Sequence, residues 1–204
     1  MKLTLFGATG RVGSEILKRA LADGHKVTAL QRSPKLDTHP DLETIFGNVR
    51  NSKDIERSIA GADVVISALG TDKTTTLTDA MPYIIESMKR HGINRIITIG
   101  TAGILDSRLE EGKLRYQGGD SNRKLTFAAE QHDKAFRMLA ESGLDWTIIC
   151  PTYLPDGEAK GAYRVEKDYL PEDGKEISTG DTAEFAYRQL ESSEFIGSRV
   201  GIAY

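Results

Sequence analysis

Short apolar runs alternate along this chain with stretches whose apolar residues recur every three or four positions. That alternation of periods predicts strands alternating with helices, the pattern of a parallel α/β sheet. Strands are expected at Leu3–Phe6, Lys26–Leu30, Leu42–Phe46, Ala62–Leu69, Arg95–Ile99 and Trp146–Cys150. A helix is expected over Val12–Ala22, with Val12, Ile16, Ala20 and Leu21 on one face and Asp23-Gly24 as its stop. Ser52–Ile59 reads as a second helix, capped by Asn51. Leu77–Arg90 reads as a third, with Leu77, Met81, Ile84 and Met88 facing a core and His91-Gly92 ending it. Pro82 falls inside this span, and we place it near the first turn, where a missing N–H costs least. Thr126–Ser142 reads as a fourth helix.

Two segments break the rhythm. Leu105–Leu125 is long, polar and mixed in charge, which suggests a functional loop or a lid. Pro155–Gly180 is rich in Gly, Asp and Glu, and within it Ala162–Val165 alternates like an added strand. A helix over Thr182–Glu191 and a strand over Val200–Ala203 follow. The expected fold class is α/β, a doubly wound parallel sheet with strand order 3-2-1-4-5-6. Residues 1–204 form one domain in this reading, and 151–204 contribute a small substrate-side cap.

The 204 residues suffice for a full core. A net charge of −3 leaves no basic excess for phosphate backbones, so nucleic acid is not an expected partner. No apolar run approaches the roughly 20 residues of a membrane helix, and the apolar stretch at Met1–Phe6 is too short for a signal peptide. The lone Cys150 excludes an internal disulfide and makes a reducing, cytoplasmic setting the default. The histidines His25, His39, His91 and His132 are scattered, and no metal site is expected.

The first strand runs straight into Gly7-Ala8-Thr9-Gly10-Arg11-Val12-Gly13 and a helix. This is the context a dinucleotide-binding glycine loop requires. Gly7 allows the tight turn, Gly10 lets the backbone approach a pyrophosphate, and Gly13 lets helix and strand pack closely. The positive end of the helix dipole then faces the phosphates. NAD sites ordinarily carry an acid at the end of the second strand for the ribose 2′-OH. Here Gln31-Arg32-Ser33 stand instead. Arg32, helped by Ser33 and Arg11, suits a 2′-phosphate, so NADP is expected, with NADPH preferred over NADH.

Several motifs together resemble the atypical short-chain dehydrogenases: Gly7–Gly13, Arg32, Gly47-Asn48-Val49, Gly61–Ile66, Leu69-Gly70-Thr71, Gly92–Ile97 and Ser142–Thr147. The likeness extends through Gly161-Ala162-Tyr163 and 177–181, and is nearest to the NmrA-like, NAD(P)H-binding group that contains biliverdin-IXβ reductase, also called flavin reductase. The resemblance implies that Asn48 and Val49 contact adenine. Ala68, Leu69 and Gly70 would pass beneath the ribose and pyrophosphate. Thr101 would occupy the place of the family's active-site hydroxyl, and Pro151, Thr152 and Tyr153 would line the nicotinamide. His132 matches a histidine of that reductase, and Tyr153 stands where the reductase has another.

Ordinary short-chain dehydrogenases use a Tyr-x-x-x-Lys pair. Here Lys134 is present, Glu130 takes the tyrosine's place, and Tyr116 lies too far upstream. The catalytic candidates are therefore Thr101, His132 as a proton donor near neutral pH, and Tyr153, which can stack on a flat substrate. Cys150 reads as a small buried hydrophobe. The expected activity is NADPH-dependent reduction of a flat, conjugated small-molecule acceptor such as a flavin, a quinone or a tetrapyrrole. A non-catalytic NADP(H) sensor of the NmrA type is the alternative. A nucleotide-sugar epimerase fits less well, because the chain after residue 150 is short and the tyrosine is absent. Either a monomer or a small homo-oligomer is compatible with the sequence.

Overall fold

The computed structural model describes residues 1–120 and 125–204. Eight strands form one sheet: β1 (Lys2–Phe6), β2 (Lys26–Gln31), β3 (Leu42–Phe46), β4 (Val64–Ser67), β5 (Arg95–Ile99), β6 (Asp145–Pro151), β7 (Arg164–Lys167) and β8 (Ser198–Ala203). Their order is β3-β2-β1-β4-β5-β6-β8-β7, parallel throughout except for the antiparallel edge pair β7–β8. The expected order 3-2-1-4-5-6 is present, and β8 and β7 extend it beyond β6. The chain after residue 151 is thus partly built into the sheet.

Helices cover both faces. They are α1 (Arg11–Ala22), α2 (Ser52–Ile59), α3 (Thr76–Arg90), α4 (Phe127–Ala140) and α5 (Thr179–Arg188). Alternation along each strand feeds two cores. Leu3 and Leu5 pack with Val12, Ile16, Ala183 and Ala186 from α1 and α5. Phe6 packs on the other face with Ile55, Ile59, Met81, Ile84 and Leu139 from α2, α3 and α4. Burial of both faces explains why the central strands read as continuous apolar runs.

Several boundaries move. The fourth strand is shorter than the Ala62–Leu69 run, because Gly61 (φ +78°) turns the chain before it and Leu69-Gly70 lead into a cleft after it. Pro82 sits in the second turn of α3, not the first. It lies on the exposed face, where water can serve the Thr78 carbonyl that loses its helical donor. The added strand is Arg164–Lys167, two residues later than expected. α5 begins at Thr179, three residues early, because the Ser178 hydroxyl caps it by accepting the Asp181 amide at 3.0 Å. The Leu105–Leu125 segment is not one open loop where it is described. It folds back through a bridge between Asp106 and Leu114, and the part of the suggested lid at 121–124 lies outside the described residues.

Candidate functional site

Two pockets open at the carboxyl ends of the strands, where a doubly wound sheet binds its ligands. The first lies over β1, β2 and β4. Gly7, Thr9 and Gly10 form its floor, with Ala68, Leu69 and Gly70 opposite. Arg32, Asn48 and Val49 close the far end. Gln31, Arg50, Asp72 and Thr76 also line it, and sequence reasoning passed over these four. Arg50 directly follows the Gly47-Asn48-Val49 turn, so its position was a usable signal.

The glycine loop has the close approaches its spacing implies. Gly7 holds φ +80°, and a Cβ there would lie 2.5 Å from the Ala68 carbonyl oxygen. A Cβ on Gly13 would lie 2.1 Å from the Gly7 carbonyl oxygen. The Gly10 amide donates to that same oxygen at 2.9 Å. Gly10 is the N-cap of α1 and brings no side-chain cap, so the first-turn amides are left to an outside acceptor. This cradle fits a pyrophosphate, and the cleft continues from it to Arg32, Asn48 and Val49.

Val12 and Gly13 have buried side chains in the first turn of α1, and their backbone amides are among those left to an outside acceptor. Arg11 turns away from the ribose end. Its Nη1 donates to the Leu154 carbonyl at 2.8 Å and to Asp156 Oδ1 at 3.0 Å, tying α1 to the segment after β6. It is therefore not in place as a helper for Arg32.

The second pocket lies beyond β5 and β6, at the start of α4. Thr101, Ala102 and Gly103 form one wall, and Pro151 and Thr152 another. Thr101 is extended and caps a short 3₁₀ turn, Ala102–Ile104, by accepting the Gly103 amide at 3.4 Å. That contact uses the oxygen as acceptor and leaves the O–H free to donate. Ala128 and Ala129 of α4 keep the far side shallow.

Arg115 and Tyr116 also line this pocket. No periodicity signals them. They arrive because the Arg115 amide donates to the Leu105 carbonyl at 2.8 Å and the Tyr116 amide to Gly103 at 3.0 Å. The Tyr116 hydroxyl donates to Asp133 Oδ2 at 2.9 Å and accepts from Gln117 at 3.1 Å. Burial, followed by the Asp133 carboxylate, raises its pKa, so it stays a neutral phenol. Arg115 lies beside Asp120, 3.6 Å from Oδ2.

The other catalytic candidates are less well placed. His132 lies on α4 outside the pocket lining. Burial lowers its pKa to about 4, so it is neutral at pH 7 and is not an imidazolium acid there. That corrects the expectation of a donor near neutral pH. Tyr153 is 58 % exposed, next to Thr152 but outside the lining. Glu130 accepts the Thr126 hydroxyl at 2.6 Å, and Lys134 is exposed, so no dehydrogenase-type pair forms around them.

Comparison with known proteins agrees with this geometry. The uncharacterised protein YwnB of Bacillus subtilis is 26 % identical over 199 residues, covering 95 % of this chain and 92 % of YwnB. A Bacteroides thetaiotaomicron structure named provisionally as an epimerase is 27 % identical, with a TM-score of 0.83 over 100 % of this chain and 96 % of that one. A Streptococcus pneumoniae structure named provisionally as an NADH-flavin reductase superposes with a TM-score of 0.82 at 24 % identity, over 100 % and 99 % of the two chains. The model of the NAD(P)H-binding family matches residues 7–193. With the glycine cradle, the strand order and this match in hand, the chain belongs to the NAD(P)H-binding family and has a Rossmann fold.

Proposed function

We propose that this chain is an NADPH-dependent reductase of a flat, conjugated small molecule, of the flavin, quinone or tetrapyrrole class. The observation that carries the reading is that both pockets lie at the carboxyl ends of one sheet, the first after β1, β2 and β4 and the second after β5 and β6, with β4 and β5 paired. A dinucleotide seated on Gly7–Gly10, with its adenosine end at Arg32, would extend along the strand ends toward Thr101, Pro151 and Thr152. The cofactor, when bound, supplies the hydride. The protein's share is placement and exclusion of water. Thr101 has a free O–H to orient an amide or acceptor carbonyl, and Pro151 and Thr152 wall the second pocket. A conjugated acceptor can take its proton from solvent, which suits a site whose His132 is neutral and whose Tyr116 hydroxyl is engaged with Asp133. An epimerase would need an acid–base pair in this position, and the Glu130 and Lys134 arrangement does not supply one.

In this reading residues 1–204 act as one domain and 151–204 complete the substrate side. The setting is cytoplasmic, and the protein acts alone or as a small homo-oligomer. Among the described residues, no helix is long and apolar enough to cross a membrane.

The same lack of acid–base machinery favours a second reading, a non-catalytic NADP(H) sensor with a protein partner. One experiment separates them. Purified protein is mixed with NADPH or NADH, with and without FMN, and loss of nicotinamide absorbance is followed. Protein-dependent oxidation faster with NADPH is the expected result. Under the same conditions Thr101→Ala should lower turnover about tenfold or more, a loss typical of one oriented hydrogen bond, and cofactor affinity should change little. No turnover with any acceptor of the three classes, with cofactor still bound, would overturn the reductase reading in favour of the sensor.

A further inference from the structure

The acid that usually meets the adenosine ribose is missing from the end of β2, where Gln31-Arg32-Ser33 stand. The fold brings a carboxylate to that corner from another element. Between β4 and α3, Thr71–Thr74 form a β-turn closed by the Thr74 amide on the Thr71 carbonyl at 2.7 Å. Both central residues hold positive φ, +49° at Asp72 and +57° at Lys73. Such turns accept Asp and Asn well at these positions and most other side chains poorly. The turn sets Asp72 Oδ2 3.3 Å from Arg32 Nη2, and both residues line the adenosine cleft. Arg50, the other guanidinium lining this cleft, is 3.0 Å from Asp79 Oδ2 and donates to the Thr74 hydroxyl at 2.9 Å. Each of the two arginines lining this cleft therefore already faces a carboxylate, Asp72 from the turn for Arg32 and Asp79 from α3 for Arg50.

We propose that Asp72 is a specificity-determining residue that opposes a 2′-phosphate at Arg32 and so narrows the preference of this chain for NADPH over NADH. This rests on the dinucleotide assignment made above. Arg32 is 72 % exposed and Asp72 52 %, so as a bridge the pair contributes little to stability. Its effect on binding is different in kind. A 2′-phosphate taken up by Arg32 must displace the Asp72 carboxylate and then remain within a few ångströms of it, like charge beside like charge. The 2′-hydroxyl of NADH donates to that carboxylate instead, which is the role of the acid ordinarily found on the second strand. Asp72 thus supplies that acid from a different strand end, beside an arginine that favours the other cofactor.

The test is a set of dissociation constants for NADPH and NADH, read by fluorescence titration of the full chain. Wild type, Asp72→Asn and Arg32→Ala are compared at low salt and at 1 M salt. Asparagine suits the turn, so Asp72→Asn keeps the backbone. It should tighten NADPH roughly tenfold, the size of a like-charge contact removed at close range, and leave NADH unchanged or weaker. The gain should shrink at 1 M salt, where screening acts over about 3 Å. An unchanged ratio in Asp72→Asn, with Arg32→Ala still weakening NADPH selectively, overturns the role of Asp72 and leaves the NADPH reading intact. If Arg32→Ala weakens both cofactors equally or neither, the 2′-phosphate assignment falls and the inference with it. If wild type binds neither dinucleotide, both fall.

Discussion

Cys150 shows how one side chain's environment sets its chemistry. It lies at the end of β6 with its surface fully covered. Burial pushes its thiol up to about 12, and the thiolate is the reactive form. A spectrophotometric thiol reagent at pH 8 should therefore leave the native protein unlabelled and titrate one thiol once the chain is denatured. Fast labelling of the native state would contradict the packing of β6 against β8. The same logic separates His132 from Thr101. Both are polar residues near the second pocket in sequence order of elements, yet burial makes one a neutral ring off the lining, and a strand end gives the other a free hydroxyl in the wall. Residue type was legible at all three positions. Burial was legible at Cys150, at the end of an apolar strand, but not at His132, where it depends on neighbours contributed by distant segments.

At the scale of elements, the strand–loop–helix unit Lys2–Ala22 was legible almost completely. Its signals are local: an apolar run, three glycines at fixed spacing, then a 3.6-residue period. The structure adds the reason Gly13 is needed, a Cβ position 2.1 Å from a backbone oxygen that cannot move without opening the loop. Gly13→Ala should destabilise the protein by about 1–3 kcal/mol or more, as overpacking does. For a chain of this size that is roughly 2–12 °C in the thermal midpoint. The variant should also lose dinucleotide binding, and calorimetry with a binding titration checks both. Element ends were less legible. The start of α5 at Thr179 was written in Ser178-x-x-Asp181, a cap signature overlooked among the polar residues before it. The second-turn position of Pro82 was readable, because the expected start at Leu77 is one residue from the observed Thr76 and both put Pro82 beyond the first 3.6 residues.

At the scale of the whole molecule, the segment after β6 is tied to itself by one buried carboxylate. Asp181 accepts the amides of Lys160 and Gly161, each at 2.8 Å, and the Tyr204 hydroxyl at 2.6 Å. Burial alone would raise its pKa, but these donors outweigh burial and lower it below the ordinary 3.8. Its contribution to stability is therefore full above the unfolded-state value and is lost as the pH falls through the lower folded-state value. Asp181→Asn should cost about 1–3 kcal/mol at pH 7, the scale for a buried charged acceptor whose donors lose their partner. The deficit should narrow in strong acid, where the wild-type carboxylate is itself protonated. Urea unfolding of both proteins at pH 7 and pH 2.5 measures this, and a deficit that does not change with pH would remove the ionic account.

The sequence by itself determined the fold class, the order of the first six strands, the glycine cradle, and the cleft positions of Arg32, Asn48, Val49 and the strand-end residues Ala68–Gly70. Those features follow from periodicity and from turn chemistry within a few residues, both of which are properties of the chain in its local order. Only the tertiary structure decided that β8 enters between β6 and β7, that Arg11 reaches Asp156 rather than the ribose, that Tyr116 arrives at the second pocket, and that Asp72 meets Arg32 from 40 residues away. These pairings carry no periodic signature. They arise when packing of the two cores brings strand ends and returning loops to one rim, where charge and desolvation then act between residues the chain keeps far apart.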